Sequence, residues 1–368
     1  MPSSTPSSGP LRVALVVEQL WQPVPGGSGT YVRRLAQALA VRTDVVVTGI
    51  AARHDAPPAD GALPVPVAFS RLPRPVLYEA WSRRLGPRAE AVTTAGVDVV
   101  HATTWAVPRT SRPLVVTVHD LAFLDDPSHF TPRGNAFFHR ALAAVRTRAA
   151  AVVVPSHATA EQCLAQGFPA GLVHVVPHGV DVPAVTPDAV SRFREEHGLR
   201  RDYVLWCGTR EPRKNLDRLV AAFRALAPRD VDLVLVGPEG WGDVQVPDDA
   251  TAQVRVVGRL DEADLHAAYA GARAFAFPSI REGFGLPVLE AMAHGVPVLT
   301  SRGTACAEVL GDAGVLVDPM DVGSITEGLA ELLGAGAEEM GVRGRRRSAS
   351  FTWQDAAERT LEVYRRVA

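Results

Sequence analysis

The sequence predicts an α/β protein built from two doubly wound parallel-sheet domains that face a central cleft. Three observations predict it. Short β-branched apolar runs alternate with helix-period segments along the chain, the signature of strand–helix–strand units on a parallel sheet. The 368 residues, 47% hydrophobic and 21% charged, have ordinary globular composition and suffice for two cores. A proline-rich, aperiodic stretch at 182–187 separates two series of such units.

The elements follow in order. Residues 1–10 are rich in Ser and Pro, with no basic stretch leading into an apolar run. They are expected to be a disordered tail, not a secretory signal. A strand at 11–17 leads into a loop at 18–29, a helix at 31–40 and a strand at 44–50. A loop rich in Pro and Ala covers 51–75. Strands at 97–102 and 114–119, a helix at 135–149, and strands at 151–155 and 173–177 around a further helix complete the first series. After the break come strands at 203–207, 232–236, 253–257, 273–278, 296–301 and 314–317. Helices at 216–226, 263–270, 287–293 and 321–333 accompany them, and an amphipathic helix at 352–367 lies beyond the last strand. The expected domains are 11–183 and 184–350, with 351–368 as the closing helix. Sheets of this kind bind ligands beyond the carboxyl ends of their strands.

Composition excludes several classes. Net charge is −2, which gives no global drive towards nucleic acid. No apolar run approaches the ~18 residues of a membrane span. Cys163, Cys207 and Cys306 are widely spaced, which suits a reducing cytoplasm and argues against a zinc ribbon or a disulfide framework. No P-loop, nucleophile elbow or His/Cys metal spacing is present. One count stands out. Of 38 basic residues 37 are Arg, and the single lysine, Lys214, adjoins one of only two asparagines, Asn215. A chain that uses Arg wherever Arg serves has a specific need for a compact ammonium at 214.

Four constellations carry chemistry. In Glu282-Gly-Phe-Gly-Leu-Pro-Val-Leu-Glu290, a strand turns into a helix through Gly283 and Gly285. Its first-turn amides and helix dipole suit a diphosphate. Glu290, about one turn into the helix, is placed to accept ribose hydroxyls, and Glu282 sits on the loop. In Cys207-Gly-Thr-Arg-Glu-Pro-Arg-Lys-Asn-Leu216, Arg210, Arg213 and Lys214 converge where a phosphate would sit. The glycine loop Pro25-Gly-Gly-Ser-Gly29 lets a ligand approach the backbone, although alone it reads equally as a plain turn. Val118-His119-Asp120 ends a strand, where a histidine faces the cleft, and His101 stands in a similar place. A structural histidine is the alternative for each.

This set resembles the GT4-type retaining glycosyltransferases of GT-B fold, with two Rossmann-like domains. The matching pieces are the glycine loop 26–29, Val118-His119-Asp120, Val176-Pro-His-Gly-Val-Asp181, Glu211-Pro-Arg-Lys-Asn215, Glu282 with Glu290, Gly295-Val-Pro-Val298 and Trp353. They span nearly the whole chain. The resemblance implies a nucleotide-diphosphate-sugar donor held mainly by the carboxyl-terminal domain, no other cofactor and no metal. It implies that Arg213 and Lys214 neutralise the diphosphate and Glu290 holds the ribose. Glu282 and the amides of Phe284, Gly285 and Leu286 would contact the sugar. Gly27 would face the donor phosphates, and His119 the transferring sugar. The last helix would cross back onto the amino-terminal domain. Thr209 stands where many members carry Arg, which leaves Arg210 as the substitute, and His178 replaces an Asn before Gly179. The Glu-Pro-Arg-Lys-Asn form is most like mannosyltransferase-type members and favours GDP-mannose over UDP-sugars.

The resemblance leaves the acceptor open among small molecules, glycans and lipid-linked sugars, with loops 51–75 and 120–135 expected to build its site. Asp230-Val-Asp232, which could pass for a metal-binding pair, is expected to be an ordinary strand entry. The competing functions are a GT-B epimerase or phosphorylase, and a nucleotide-sugar-binding protein without catalysis. The expected location is cytoplasmic. Arg133, Arg140, Arg146 and Arg148, with Phe137 and Phe138, raise the alternative of weak peripheral docking on the inner face of the membrane. A solvated helix with a buried stripe is the preferred reading.

Overall fold

The computed structural model describes residues 9–59, 61–93, 96–125, 131–240 and 253–368. Most of the tail expected at 1–10 lies outside the described residues, as does part of the loop at 120–135. The strands are β1 (Leu11–Val16), β2 (Val45–Ala51), β3 (Val67–Phe69), β4 (Val99–Ala102), β5 (Leu114–Thr117), β6 (Ala151–Val154) and β7 (Val173–Val175), then β8 (Asp202–Cys207), β9 (Val231–Val236), β10 (Val254–Gly258), β11 (Ala274–Phe277), β12 (Val298–Ser301) and β13 (Val315–Val317). The helices are α1 (Gly26–Ala40), α2 (Arg74–Ser82), α3 (Ala89–Val92), α4 (Ala122–Asp125), α5 (Pro132–Arg148), α6 (His157–Ala165) and α7 (Pro187–Glu196), then α8 (Leu216–Leu226), α9 (Glu262–Ala270), α10 (Leu286–Ala293), α11 (Ala305–Leu310), α12 (Val322–Leu332), α13 (Ala337–Ser348) and α14 (Trp353–Val367).

The chain forms two units. One runs up to Gly179 and takes in Trp353–Ala368; the other is Val180–Thr352. The first is built on a parallel sheet of order β3-β2-β1-β4-β5-β6-β7, the second on one of order β10-β9-β8-β11-β12-β13. Both sheets are parallel throughout. Central strands such as β4, β5, β6 and β11 are buried at every residue, which is why they read as continuous apolar runs without alternation. Strand order reverses between β1 and β4 in the first unit and between β8 and β11 in the second. Loops leaving those neighbouring strands diverge there and open a crevice in each sheet.

In the first unit α14 packs its buried face, including Trp353, Leu361 and Tyr364, on the unit's own core. The Tyr364 hydroxyl lies 2.6 Å from Nδ1 of the buried His101, whose Nε2 lies 2.7 Å from Thr117 Oγ1. Thr117 in turn bonds the Tyr31 hydroxyl at 2.9 Å. A chain of polar groups thus joins α14, β4, β5 and α1 inside the sheet layer.

The structure departs from the sequence reading in several places. The glycines 26–29 do not form a loop; they are the first turn of α1, which begins five residues earlier than expected. Pro25 already has helical angles, and the Gly29 amide bonds the Pro25 carbonyl at 3.1 Å. A Cβ on Gly29 would lie 2.3 Å from the Pro25 ring, so glycine is required there for packing. The loop expected over 51–75 contains the edge strand β3 and opens α2. Pro187, expected at the end of the 182–187 break, is the first helical residue of α7 after a Thr186 cap. α13 has no counterpart in the sequence reading. Asp232 lies inside β9 at 2% exposure, with Arg201 at 3.3 Å and Arg255 at 3.7 Å, so its carboxylate is committed to guanidinium partners. On α5, Phe137 stacks against Tyr78 and Phe138 against Phe123, so both aromatics pack on their own unit. Among the described residues, no helix is long and apolar enough to cross a membrane.

Candidate active site

In the second unit the loops after β8 and β11, the two strands at the crevice, are fastened together. The β8 loop ends in a single 3-10 turn, Pro212–Lys214, followed by Asn215 in the left-handed region at φ 59°. Asparagine tolerates that conformation better than most residues. Its side-chain amide donates to the carbonyls of Pro278 at 2.9 Å and Pro319 at 2.6 Å. Its oxygen accepts from Arg218 at 2.9 Å. The Ile280 amide then bonds the Arg213 carbonyl at 2.8 Å. Ser279 Oγ lies 3.0 Å from that same carbonyl and 3.0 Å from Glu282 Oε1.

This scaffold brings three of the expected residues together. Lys214 is 7% exposed, and its ammonium pairs with Glu282 Oε1 and sits 4.7 Å from the Phe277 ring centre. Arg213 reaches Glu282 at 3.1 Å and Glu211 at 2.7 Å. Burial alone would raise the Glu282 carboxyl; Lys214, Arg213 and the Ser279 hydroxyl outweigh it and hold the pKa below its ordinary value. The two cations are therefore not loose surface charges. Carboxylates fix each of them against the ends of β8 and β11.

Glu290 stands on α10, and its Oε2 accepts from the Tyr269 hydroxyl of α9 at 2.9 Å. Burial keeps Tyr269 a phenol, so it serves as a donor. The Cys207 thiol, pushed up to about 12 by burial and then by Glu290, lies in the same neighbourhood as Tyr269 and Lys214. Gly285 has φ +101°, and a Cβ there would meet Cys306 Sγ at 2.6 Å. The glycine is thus explained by a left-handed helix entry against α11, beside any ligand. The Phe284 and Leu286 side chains are buried, which leaves only their backbone to meet a solute. Arg210 stands apart from this group, paired at 3.0 Å with the exposed Glu239. Its buried Nε has no hydrogen-bond partner among the described residues.

In the first unit His119 follows β5, and its Nε2 donates to the Thr103 carbonyl after β4 at 2.9 Å. That bond leaves Nδ1 as the acceptor. Burial lowers the His119 pKa, so the ring is neutral at pH 7. It meets Tyr31 edge-on at 5.0 Å and His178 at 5.6 Å. Burial pushes His178 well below the usual range and His101 down to about 3. Gly27 is exposed on the first turn of α1, the helix that carries Tyr31. His101, a cleft candidate by sequence, is fully enclosed and serves the buried chain to Tyr364.

Three contributors escaped the sequence reading: Tyr269, Ser279 and the bridging role of Asn215. A lone tyrosine on a short helix looks like core, and Ser279 lies just before the Glu282–Glu290 motif, outside it. Asn215 did carry a signal, its rarity in this chain.

The electrostatics give a pH-dependent expectation. With its folded pKa depressed, Glu282 contributes stability above its unfolded pKa, and that contribution is lost as pH falls through the folded value. Glu282→Gln leaves Lys214 buried without its partner. At neutral pH it is expected to cost about 3–5 kcal/mol of the second unit's stability. The deficit relative to the parent should shrink on acidification, as the parent's carboxylate protonates. Denaturant unfolding of both forms at neutral and acid pH checks this; a deficit independent of pH refutes it.

Comparison with known proteins agrees with this architecture. Residues 201–335 match the family model described as Glycosyl transferases group 1, and residues 25–184 the one described as Glycosyltransferase Family 4. The O-antigen chain mannosyltransferase B of Escherichia coli is 29% identical over 81% of this chain and 82% of the relative. A D-inositol 3-phosphate glycosyltransferase of Acidothermus cellulolyticus is 30% identical over 92% of this chain and 85% of the relative. Two solved structures share the fold. Sucrose-phosphate synthase from Thermosynechococcus elongatus has a TM-score of 0.74 at 23% identity, covering 97% of this chain and 98% of that one. The Anabaena protein HepE, in complex with UDP and glucose, has a TM-score of 0.71 at 20% identity, covering 96% and 98%. The chain belongs to the GT4-type, group 1 glycosyltransferases and has their GT-B fold.

Proposed function

We propose that this glycosyltransferase moves a hexose, mannose in preference, from a nucleotide-diphosphate sugar to a hydroxyl acceptor, with retention of anomeric configuration and without a metal ion. One observation carries the reading. The chain's only lysine, with Arg213 and Glu282, is fixed at the crevice of the second sheet, where a parallel α/β sheet binds nucleotides. In this reading Arg213 and Lys214 stabilise the charge that builds on the departing diphosphate, the work a divalent cation performs in other transferases. Glu290 accepts the ribose hydroxyls. Glu282 and the backbone of Phe284, Gly285 and Leu286 meet the sugar. Arg210 adds a further guanidinium to the phosphates, and the first turn of α1 at Gly27 faces them. His119, neutral and with Nδ1 open as an acceptor, orients the sugar or contributes through its backbone carbonyl.

Mannose is preferred because the Glu211-Pro-Arg-Lys-Asn215 run is of mannosyltransferase type and because the E. coli relative carries that name. UDP-sugars are the alternative donors. A panel of GDP- and UDP-sugars scored by thermal shift separates them, since a ligand that binds only the native state stabilises it by mass action. Stabilisation by no nucleotide sugar overturns the reading.

Lys214→Ala is expected to lower the transfer rate about 100-fold or more while the fold survives, because the lost contact acts mainly in the transition state. Lys214→Arg should also be impaired, since a planar fork does not replace a point charge. Steady-state rates on folded variants decide this, and near-normal turnover in Lys214→Ala removes the assignment.

Tyr269→Phe removes one hydroxyl and the hydrogen bond that it donates to Glu290. It should weaken nucleoside diphosphate binding by about tenfold, the worth of one hydrogen bond to a charged group. Calorimetry with the ribonucleotide and its 2′,3′-dideoxy analogue provides the check. The penalty should appear only with the ribose hydroxyls present; an equal penalty for both ligands contradicts the role.

The stereochemical expectation is retention without a stable glycosyl-enzyme. Double displacement needs a carboxylate at the anomeric carbon with an acid/base group about 5–5.5 Å away. In this reading Glu282 and Glu290 are both occupied in holding donor hydroxyls. Asp120 follows His119 directly, where successive residues of an extended chain point to opposite sides. The route left is same-face attack, in which the acceptor oxygen bonds the anomeric carbon and its proton passes to the leaving phosphate. An NMR assay of the first-formed product reads the anomer. An inverted product overturns retention, and a trapped glycosyl-carboxylate overturns the same-face route alone.

A further inference from the structure

The first unit holds a second basic constellation, at the end of its sheet opposite His119. The last turn of α5 leads into β6 there, and the segment 103–113 returns to the start of β5. Three arginines meet at this edge through a closed set of hydrogen bonds. Arg84 Nη2 donates to Thr147 Oγ1 at 3.4 Å, beside Arg148. Arg148 Nη2 donates to the Pro108 carbonyl at 2.7 Å, beside Arg109. Arg109 Nη1 donates to the Gly86 carbonyl at 3.3 Å, two residues from Arg84. Each guanidinium therefore reaches the segment that carries the next.

The charges are uncompensated. No carboxylate pairs with Arg84, Arg109 or Arg148 among the described residues. Glu90, the carboxylate of the adjoining segment, is turned to the Ser111 amide at 2.8 Å and hydroxyl at 2.7 Å. The Arg148 Nη1 group is buried and has no hydrogen-bond partner among the described residues. Burial, and then the charges of Arg84 and Arg109, push the Arg148 pKa down from its ordinary value. The α5 carboxyl terminus accounts for a favourable setting for one cation. It does not account for three that repel, nor for a buried donor left unmade, which costs more than an ordinary hydrogen bond returns.

We propose that Arg84, Arg109 and Arg148 form an oxyanion site, separate from the donor crevice, that takes a phosphate-type group. A tetrahedral phosphate oxyanion would offer acceptors to several forked donors at once and would satisfy the Arg148 Nη1 group. Free phosphate and the headgroup of an anionic lipid share this chemistry.

The test uses the full chain, as parent, Lys214→Ala, Arg84→Gln, and Arg84→Gln combined with Arg109→Gln. Inorganic phosphate is titrated at constant ionic strength and followed by thermal shift. Sedimentation is measured with vesicles of phosphatidylglycerol and, as control, phosphatidylcholine. The Lys214→Ala chain should bind phosphate as the parent does at this site, which separates it from the donor phosphates. Arg84 lies on an exposed turn, so Arg84→Gln should keep the fold, verified by circular dichroism, and weaken the anion about tenfold through loss of one charge-assisted hydrogen bond. Binding of phosphate without vesicle sedimentation assigns a soluble ligand. Sedimentation with phosphatidylglycerol alone, lost in the double variant, assigns a headgroup. The proposal is overturned if the parent binds neither probe, or if the folded double variant binds them as the parent does.

Discussion

Asn215 does two jobs that no other residue type combines as readily. Its backbone turns through the left-handed region, which ends the short turn carrying Arg213 and Lys214 and lets α8 start. Its side chain spends both amide hydrogens on carbonyls of two other loops, at Pro278 and Pro319. Those bonds fix where the loop after β8 stands relative to the loop after β11, and so where Lys214 stands relative to Glu282. An aspartate would put a carboxylate against two carbonyls, and an alanine would leave both carbonyls unmatched in a buried place. The ion pair, the placement of Arg213 and the seat of Ser279 all depend on this fastening.

The two units treat the polar groups buried around Lys214 and around His119 in opposite ways. The second keeps charge and balances it, cation against carboxylate, with Glu211 and Glu282 holding Arg213 and Lys214. Around His119 the first keeps its groups uncharged. Burial depresses His101, His119 and His178, so the three rings take part as neutral hydrogen-bonding and stacking groups. Tyr31 links them, bonding Thr117 and touching His119 and His178. Neutral rings cost less to bury than imidazolium ions and have defined donor and acceptor edges.

Much of this was legible in the sequence. The central strands announced themselves because strands buried on both faces are continuous apolar runs, and α8 was bounded correctly by its periodicity. Lys214 stood out because the chain otherwise avoids lysine. What escaped was decided by tertiary contacts. The glycines 26–29 look like a loop by propensity, yet they form the first turn of α1, and position 29 needs glycine because Pro25 packs where a side chain would be. The edge strand β3 is three residues long and recruited by β2, with no pattern of its own. Tyr269 carries no local mark of its bond to Glu290, since that partner comes from another helix. The resemblance assigns Gly285 an amide contact with the sugar, while its left-handed angle and its contact with Cys306 already demand glycine.

The placement of α14 bears on how the chain is made. Both ends of the described chain belong to the first unit, and Val180–Thr352 is, in topological terms, an insertion within it. A ribosome delivers every residue of the inserted unit before it delivers Tyr364. The second unit can therefore complete its core during synthesis, as self-contained domains generally fold as units. The first must wait, with the pocket for Tyr364 beside His101 unfilled, until the last helix emerges. Its sheet is translated first and its structure finishes last, so the interval of exposed apolar surface during biosynthesis belongs to the unit that bears His119.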